Sequence, residues 1–121
     1  MRSFYLSDSF LGIKNREVKQ LQYKGWPDHG VPSDATKESF SRMLEAFTLM
    51  LLSCGVTEKA IVHCSAGIGR TGTTIALAHL ITQVFAQRNQ SVKDAKVSIV
   101  STVRRIREQR FHLVQMDEQY Q

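Results

Sequence analysis

The chain has 121 residues, 42% of them hydrophobic, and a formal net charge of +5. That length supports one compact domain with a real core and is short for two, and no apolar run approaches the roughly 20 residues of a membrane span. The opening "MRSFYLSDSF" lacks the charged, apolar, small-residue order of a signal peptide, so a soluble intracellular chain is expected. The positive excess favours anionic partners, although part of it is concentrated in "RRIREQR", Arg104 to Arg110, which reads as a solvated helix face. Nucleic acid is not an expected partner, because neither a binding motif nor basic residues interleaved with exposed aromatics appear.

In chain order, two β-prone runs, Arg2 to Leu6 and Glu17 to Tyr23, flank a turn-rich middle and predict an antiparallel pair. Phe40, Met43, Leu44, Phe47, Met50 and Leu51 then recur at helical spacing, with Ser33 or Thr36 available as a cap and Gly55 as a stop. "KAIVHC", Lys59 to Cys64, is a short dense apolar run suited to a strand buried on both faces. "TGTTIALAHLITQVFAQR" is long and mostly apolar, as a central helix should be. A last helix ends near Arg110 and begins either at Ser91, with Asp94 three residues on, or at Ser98, ahead of the Ile99, Val103, Ile106 stripe. A strand feeding a glycine loop and then a helix indicates α/β architecture: a central mixed sheet flanked by helices.

Two cysteines make no disulfide framework. Cys54, at an apolar helix end, reads as a buried structural residue, whereas Cys64 beside glycines reads as a reactive thiol in a reducing compartment. Asn89-Gln90-Ser91 fits a glycosylation acceptor that such a compartment would leave unused. A strand ending in a tight loop at a helix N-terminus aims several backbone N–H groups at one point, where the helix dipole also favours negative charge. Gly67 and Gly69 let the amides of Ser65, Ala66, Ile68 and Arg70 turn inward with their own as a nest. Arg70 adds a planar fork that grips two oxygens of a tetrahedral anion, and the same field favours a thiolate on Cys64. Phosphate fits best, with the sulfur attacking phosphorus while the arginine and amides do the work of a metal ion. A nucleotide-binding Walker loop would need lysine before the Ser/Thr, where this chain has Arg70 before Thr71.

The run His63-Cys64-Ser65-Ala66-Gly67-Ile68-Gly69-Arg70-Thr71-Gly72 resembles the signature loop of the tyrosine-specific protein phosphatases. "WPDHGVP", Trp26 to Pro32, resembles that family's mobile acid loop, and "QMDEQYQ", Gln115 to Gln121, its glutamine loop. The resemblance implies hydrolysis of phosphotyrosine in proteins through a cysteinyl-phosphate, with Cys64 as nucleophile and Asp28 as the acid that protonates the phenolate leaving group. It further implies that Gln115, assisted by Gln119, orients the attacking water, and that Thr71 hydrogen-bonds the sulfur and helps it leave. His63 is expected to order the loop and tune the thiol. Trp26, Pro27, Gly30 and Pro32 suit a flap hinged at its ends. His29, His79 and His112 read as ordinary residues, and no His/Cys/carboxylate cluster has metal-ligand spacing, so neither metal nor cofactor is expected.

The likeness covers nearly all of residues 1–121 but corresponds to the C-terminal part of the family's catalytic domain. A preceding segment in family members supplies the tyrosine-recognition loop and further strands; "KNRE", Lys14 to Glu17, echoes its Asn-Arg-Tyr motif only by chance. The expected partners are phosphotyrosine proteins, with no membrane contact from this segment, in the cytoplasm or in the intracellular part of a receptor-like parent. The alternative is a phosphotyrosine-binding or regulatory fragment without productive turnover.

Overall fold

The structure is a computed structural model and describes residues 1–28, 30–55, 57–87 and 95–120. The Ser91 helix start, the Asn89 acceptor, His29 and Gln121 lie outside the described residues. Strands β1 (Arg2–Asp8) and β2 (Ile13–Gln20) pair antiparallel, with Phe4 opposite Val18 and Asp8 opposite Ile13. Gly12, at φ +66°, makes the turn in the left-handed region that glycine enters without penalty, and the Asp8 carboxylate accepts from the Leu11 N–H at 2.9 Å. β2 therefore starts and ends earlier than the expected Glu17 to Tyr23. Tyr23 is drawn elsewhere: its ring lies 5.4 Å from Phe40 and its hydroxyl donates to the Thr36 carbonyl at 2.9 Å.

Four helices follow: α1 (Asp34–Ser53), α2 (Gly69–Ala86), α3 (Ile99–Gln109) and the single turn α4 (Asp117–Tyr120). α1 starts at Ser33, but neither Ser33 nor Thr36 makes the side-chain cap bond; their hydroxyls pair with each other at 3.1 Å. Its end falls at Cys54 in extended backbone, one residue before Gly55, so no left-handed glycine is needed. Cys54 is exposed, which corrects the expectation of a buried structural thiol: the helix turns its apolar stripe of Phe40, Leu44, Phe47 and Leu51 inward and its last residue outward. α3 begins at the second of the two expected sites, where the Ser98 hydroxyl accepts from the Ser101 N–H at 3.2 Å.

α2 is the centre of the packing, apolar around its circumference as a helix flanked on several sides must be. On one side Ala78 joins Trp26, Phe40 and Leu44; on the other Ala76 joins Val103, Ile106, Leu113 and Val114. Trp26 stands edge-on to Phe40 at 4.8 Å, a pairing worth about 0.5–1.5 kcal/mol beyond its buried area. The mixed helix and strand class is as expected for a partial domain, but the sheet is small and antiparallel. Lys59 to Cys64 forms no strand: among the described residues β1 and β2 make the only ladder, and Ile61, without a neighbouring strand, is 89% exposed.

The tightest approach lies where the first turn of α2 meets the segment after α3. The Ile68 carbonyl accepts from both the Gly72 N–H at 2.9 Å and the Val114 N–H at 3.2 Å. A methyl group on Gly72 would collide with the Val114 nitrogen and stand 2.9 Å from the Leu113 carbonyl carbon, both backbone atoms with little freedom to yield. Gly72→Ala should therefore lower stability by about 1–3 kcal/mol in urea unfolding. Gly55→Ala, where a methyl group meets nothing within 4 Å, should cost nothing. Equal unfolding midpoints for the two variants would contradict this packing.

Candidate active site

The cysteine loop turns on Gly67, whose φ of +72° points its N–H at the Cys64 Sγ, 3.3 Å away. Burial is the largest single influence on the Cys64 thiol and acts to raise its pKa. It is outweighed by hydrogen bonds from the Thr71 hydroxyl and from the backbone N–H groups of Thr71, Gly67 and Ile68, which together bring the thiol down to about 7. The Thr71 hydroxyl is buried and has no partner of standard hydrogen-bond geometry among the described residues; its effect is exerted on the sulfur. The groups that favour the thiolate are the short-range donors of Thr71, Gly67 and Ile68.

Arg70 is committed elsewhere. Its Nη1 donates to the Trp26 carbonyl at 3.2 Å, and its Nη2 donates to the Ser65 hydroxyl at 2.8 Å and pairs with the Asp28 carboxylate. The loop that starts at Trp26 is fixed internally by the Trp26 indole N–H, which donates to the Gly30 carbonyl at 2.6 Å, while Pro32 is buried beside the start of α1. Pro27 is exposed and packs toward Gly30.

An open cleft of about 120 Å³ is lined by Asp28, Cys64, Ser65, Ala66, Gly69, Arg70, Gln115 and Gln119. Three segments far apart in sequence meet there. Gly69 leaves room for the glutamines, since a methyl group on it would come within 3.1 Å of the Gln119 amide and 3.4 Å of Gln115 Oε1. Thr71, Gly67 and Ile68 act from behind the cleft through N–H groups and the hydroxyl. His63 is outside it, exposed, with Nδ1 3.4 Å from the Cys64 carbonyl oxygen. Among the described residues no group of His, Cys, Asp and Glu is arranged to hold a metal ion.

The reading of "RRIREQR" as a solvated face holds, since its arginines are exposed, but two of them also bind loop carbonyls. Arg107 donates from Nε to the Leu113 carbonyl at 2.8 Å and from Nη2 to the Val114 carbonyl at 2.7 Å. Arg110 donates to the Ala66 carbonyl at 3.3 Å and lies along Gly67. Arg107 stands in the last turn of α3, and Arg110 caps that helix in extended backbone.

The family profile described as protein-tyrosine phosphatase matches residues 1–121. The human receptor-type tyrosine-protein phosphatase H is 42% identical over 108 residues, which are 88% of this chain and 9% of that protein. The human tyrosine-protein phosphatase non-receptor type 20 is 35% identical over 120 residues, 99% of this chain and 25% of that protein. Among solved structures, the Trypanosoma cruzi protein tyrosine phosphatase TcPTP1 superposes with a TM-score of 0.63 at 39% identity, over 86% of this chain and 32% of that one. The chain thus spans a quarter or less of those two curated relatives and about a third of that solved neighbour. The profile match runs its whole length, and the chain belongs to the protein-tyrosine phosphatase family.

Proposed function

We propose that this chain carries the catalytic site of a phosphatase that removes phosphate from phosphotyrosine in proteins by way of a cysteinyl-phosphate. The observation that carries the reading is a thiol held at about 7 on the floor of the same cleft as a guanidinium fork and a carboxyl group. In the first step the Cys64 thiolate attacks phosphorus, an S–P bond forms, the ester P–O bond breaks, and the Asp28 carboxyl gives its proton to the departing phenolate oxygen. In the second a water beside Gln115 attacks phosphorus and yields its proton to the Asp28 carboxylate. The S–P bond then breaks and the thiolate leaves into the hydrogen bonds of Thr71, Gly67 and Ile68.

The resting site prepares this exchange. The Asp28 side chain is 66% exposed and its pair with Arg70 is worth at most about 1 kcal/mol. A doubly charged phosphate offering two oxygens to the fork makes the stronger, charge-assisted contact. Arrival of the phosphate therefore detaches Asp28 from the arginine and leaves the carboxyl at the cleft mouth, where the leaving oxygen lies.

Thiol reactivity tests the nucleophile. A thiol at about 7 is roughly half ionised at pH 7, against about 3% for an ordinary one near 8.5. Local desolvation and then Glu58 push Cys54 up. Iodoacetate should alkylate Cys64 first, with a rate that climbs as pH rises through about 7 and then levels, and inorganic phosphate should protect it. Equal labelling of the two thiols would refute the assignment.

Turnover tests the acid. Asp28→Ala should slow cleavage of phosphotyrosine by about 10²–10⁴ and spare a substrate with a low-pKa leaving group, which departs without a proton. An equal loss on both substrates would remove Asp28 from that role. Phosphotyrosine-peptide binding without turnover by the wild type would favour the regulatory-fragment reading.

A further inference from the structure

Gln119 lines the cleft but commits both ends of its amide to backbone groups. Its Oε1 accepts from the backbone N–H groups of Gln115 at 3.2 Å and Met116 at 3.3 Å, and its Nε2 donates to the Gly30 carbonyl at 3.1 Å. Reversing the amide would set an NH2 against two N–H donors and an oxygen against a carbonyl, so these partners fix its orientation. The Gly30 carbonyl also accepts from the Trp26 indole, which closes a chain of bonds from the glutamine loop through Gly30 to Trp26. The Trp26 carbonyl in turn accepts from Arg70. By contrast, the Gln115 side chain lines the cleft and makes no hydrogen bond among the described residues.

We propose that Gln119 is a positioning residue for the acid loop: it ties Gly30 to the backbone at Gln115 and Met116 and so holds Asp28 over Arg70 and Cys64, leaving Gln115 alone to address the water. The proposal rests on the reading of Asp28 as the acid. Its consequence is a division of labour, in which Gln119 acts on departure of the phenolate and Gln115 on hydrolysis of the cysteinyl-phosphate.

Trp26 is the only tryptophan in the chain and is buried, so its emission reports the acid loop whether or not the protein turns over. Gln119→Met, of similar length but without the three hydrogen bonds, should shift Trp26 emission to the red and raise its quenching by acrylamide. Gln119→Glu keeps an acceptor for the two N–H groups and loses the donor to Gly30. It should reproduce both changes with the far-UV circular dichroism of the wild type, which separates loss of the tie from misfolding. In turnover, Gln119→Met should slow release of a high-pKa phenolate roughly 3- to 10-fold, the weight of one net hydrogen bond. It should slow a low-pKa leaving group little and add nothing to Asp28→Ala. Unchanged Trp26 emission, or a loss that is equal for both leaving groups and multiplies that of Asp28→Ala, overturns the proposal. A shifted Trp26 in a protein whose wild type shows no turnover upholds the tie and overturns the assignment of Asp28.

Discussion

The site depends on a backbone-to-backbone approach that only glycine permits. With no side chain on Gly72, the segment after α3 lies against the first turn of α2 closely enough for Val114 to share the Ile68 carbonyl with the helix itself. Val114 takes φ +61° and His112 φ +62° to make this approach, and the left-handed region is costly for a β-branched residue. The cost is offset locally. Arg107 holds the carbonyls of Leu113 and Val114, and both side chains are buried against Val103 and Ile106. Once Val114 is docked, Gln115 has little choice but to emerge beside Gly69 and Cys64.

Magnitudes divide the charges at the site into fixed and exchangeable. The hydrogen bonds to the Cys64 sulfur come from the loop backbone and from a buried hydroxyl, which are in place before any ligand arrives and need no reorganisation. The contact between Arg70 and Asp28 is of the other kind, between a carboxylate that is mostly in water and a fork that is three-quarters covered. Exposed pairs contribute little to stability. This pair is therefore a weak brace for the fold.

How much of this was legible in the sequence follows from the range of each interaction. The cysteine loop was readable because its requirements are local: a thiol, glycines able to turn amides inward, and an arginine within six residues. Ser98 as the start of α3 and the apolar stripe of α1 are local in the same sense. Lys59 to Cys64 misled because a dense apolar run records a preference for burial, while a strand requires a neighbour to pair with. Arg107 and Arg110 are exposed as read, but their bonds to loop carbonyls were not legible, since no side-chain pattern encodes the course of those loops. Cys54 reads the same whether it points into a helix interface or away from it, and only the rotation of α1 decides.

Core packing and chemistry are joined at Trp26. Its ring is held edge-on by Phe40 and backed by Leu44 and Ala78, so α1 and α2 together set where the loop carrying Asp28 begins. Its indole N–H and its carbonyl then point along the loop in two directions, to Gly30 and to Arg70. Arg70 is thereby tied to this loop at two points, the Trp26 carbonyl and the Asp28 carboxylate. Trp26 anchors this loop in the core, so a core substitution at Phe40 or Leu44 acts on the placement of Asp28 without touching the cleft lining. Misplacement of about 1 Å in a catalytic group can cost 10²-fold in rate. The apolar side chains of α1 thus set the geometry of the cleft as well as the stability of the fold.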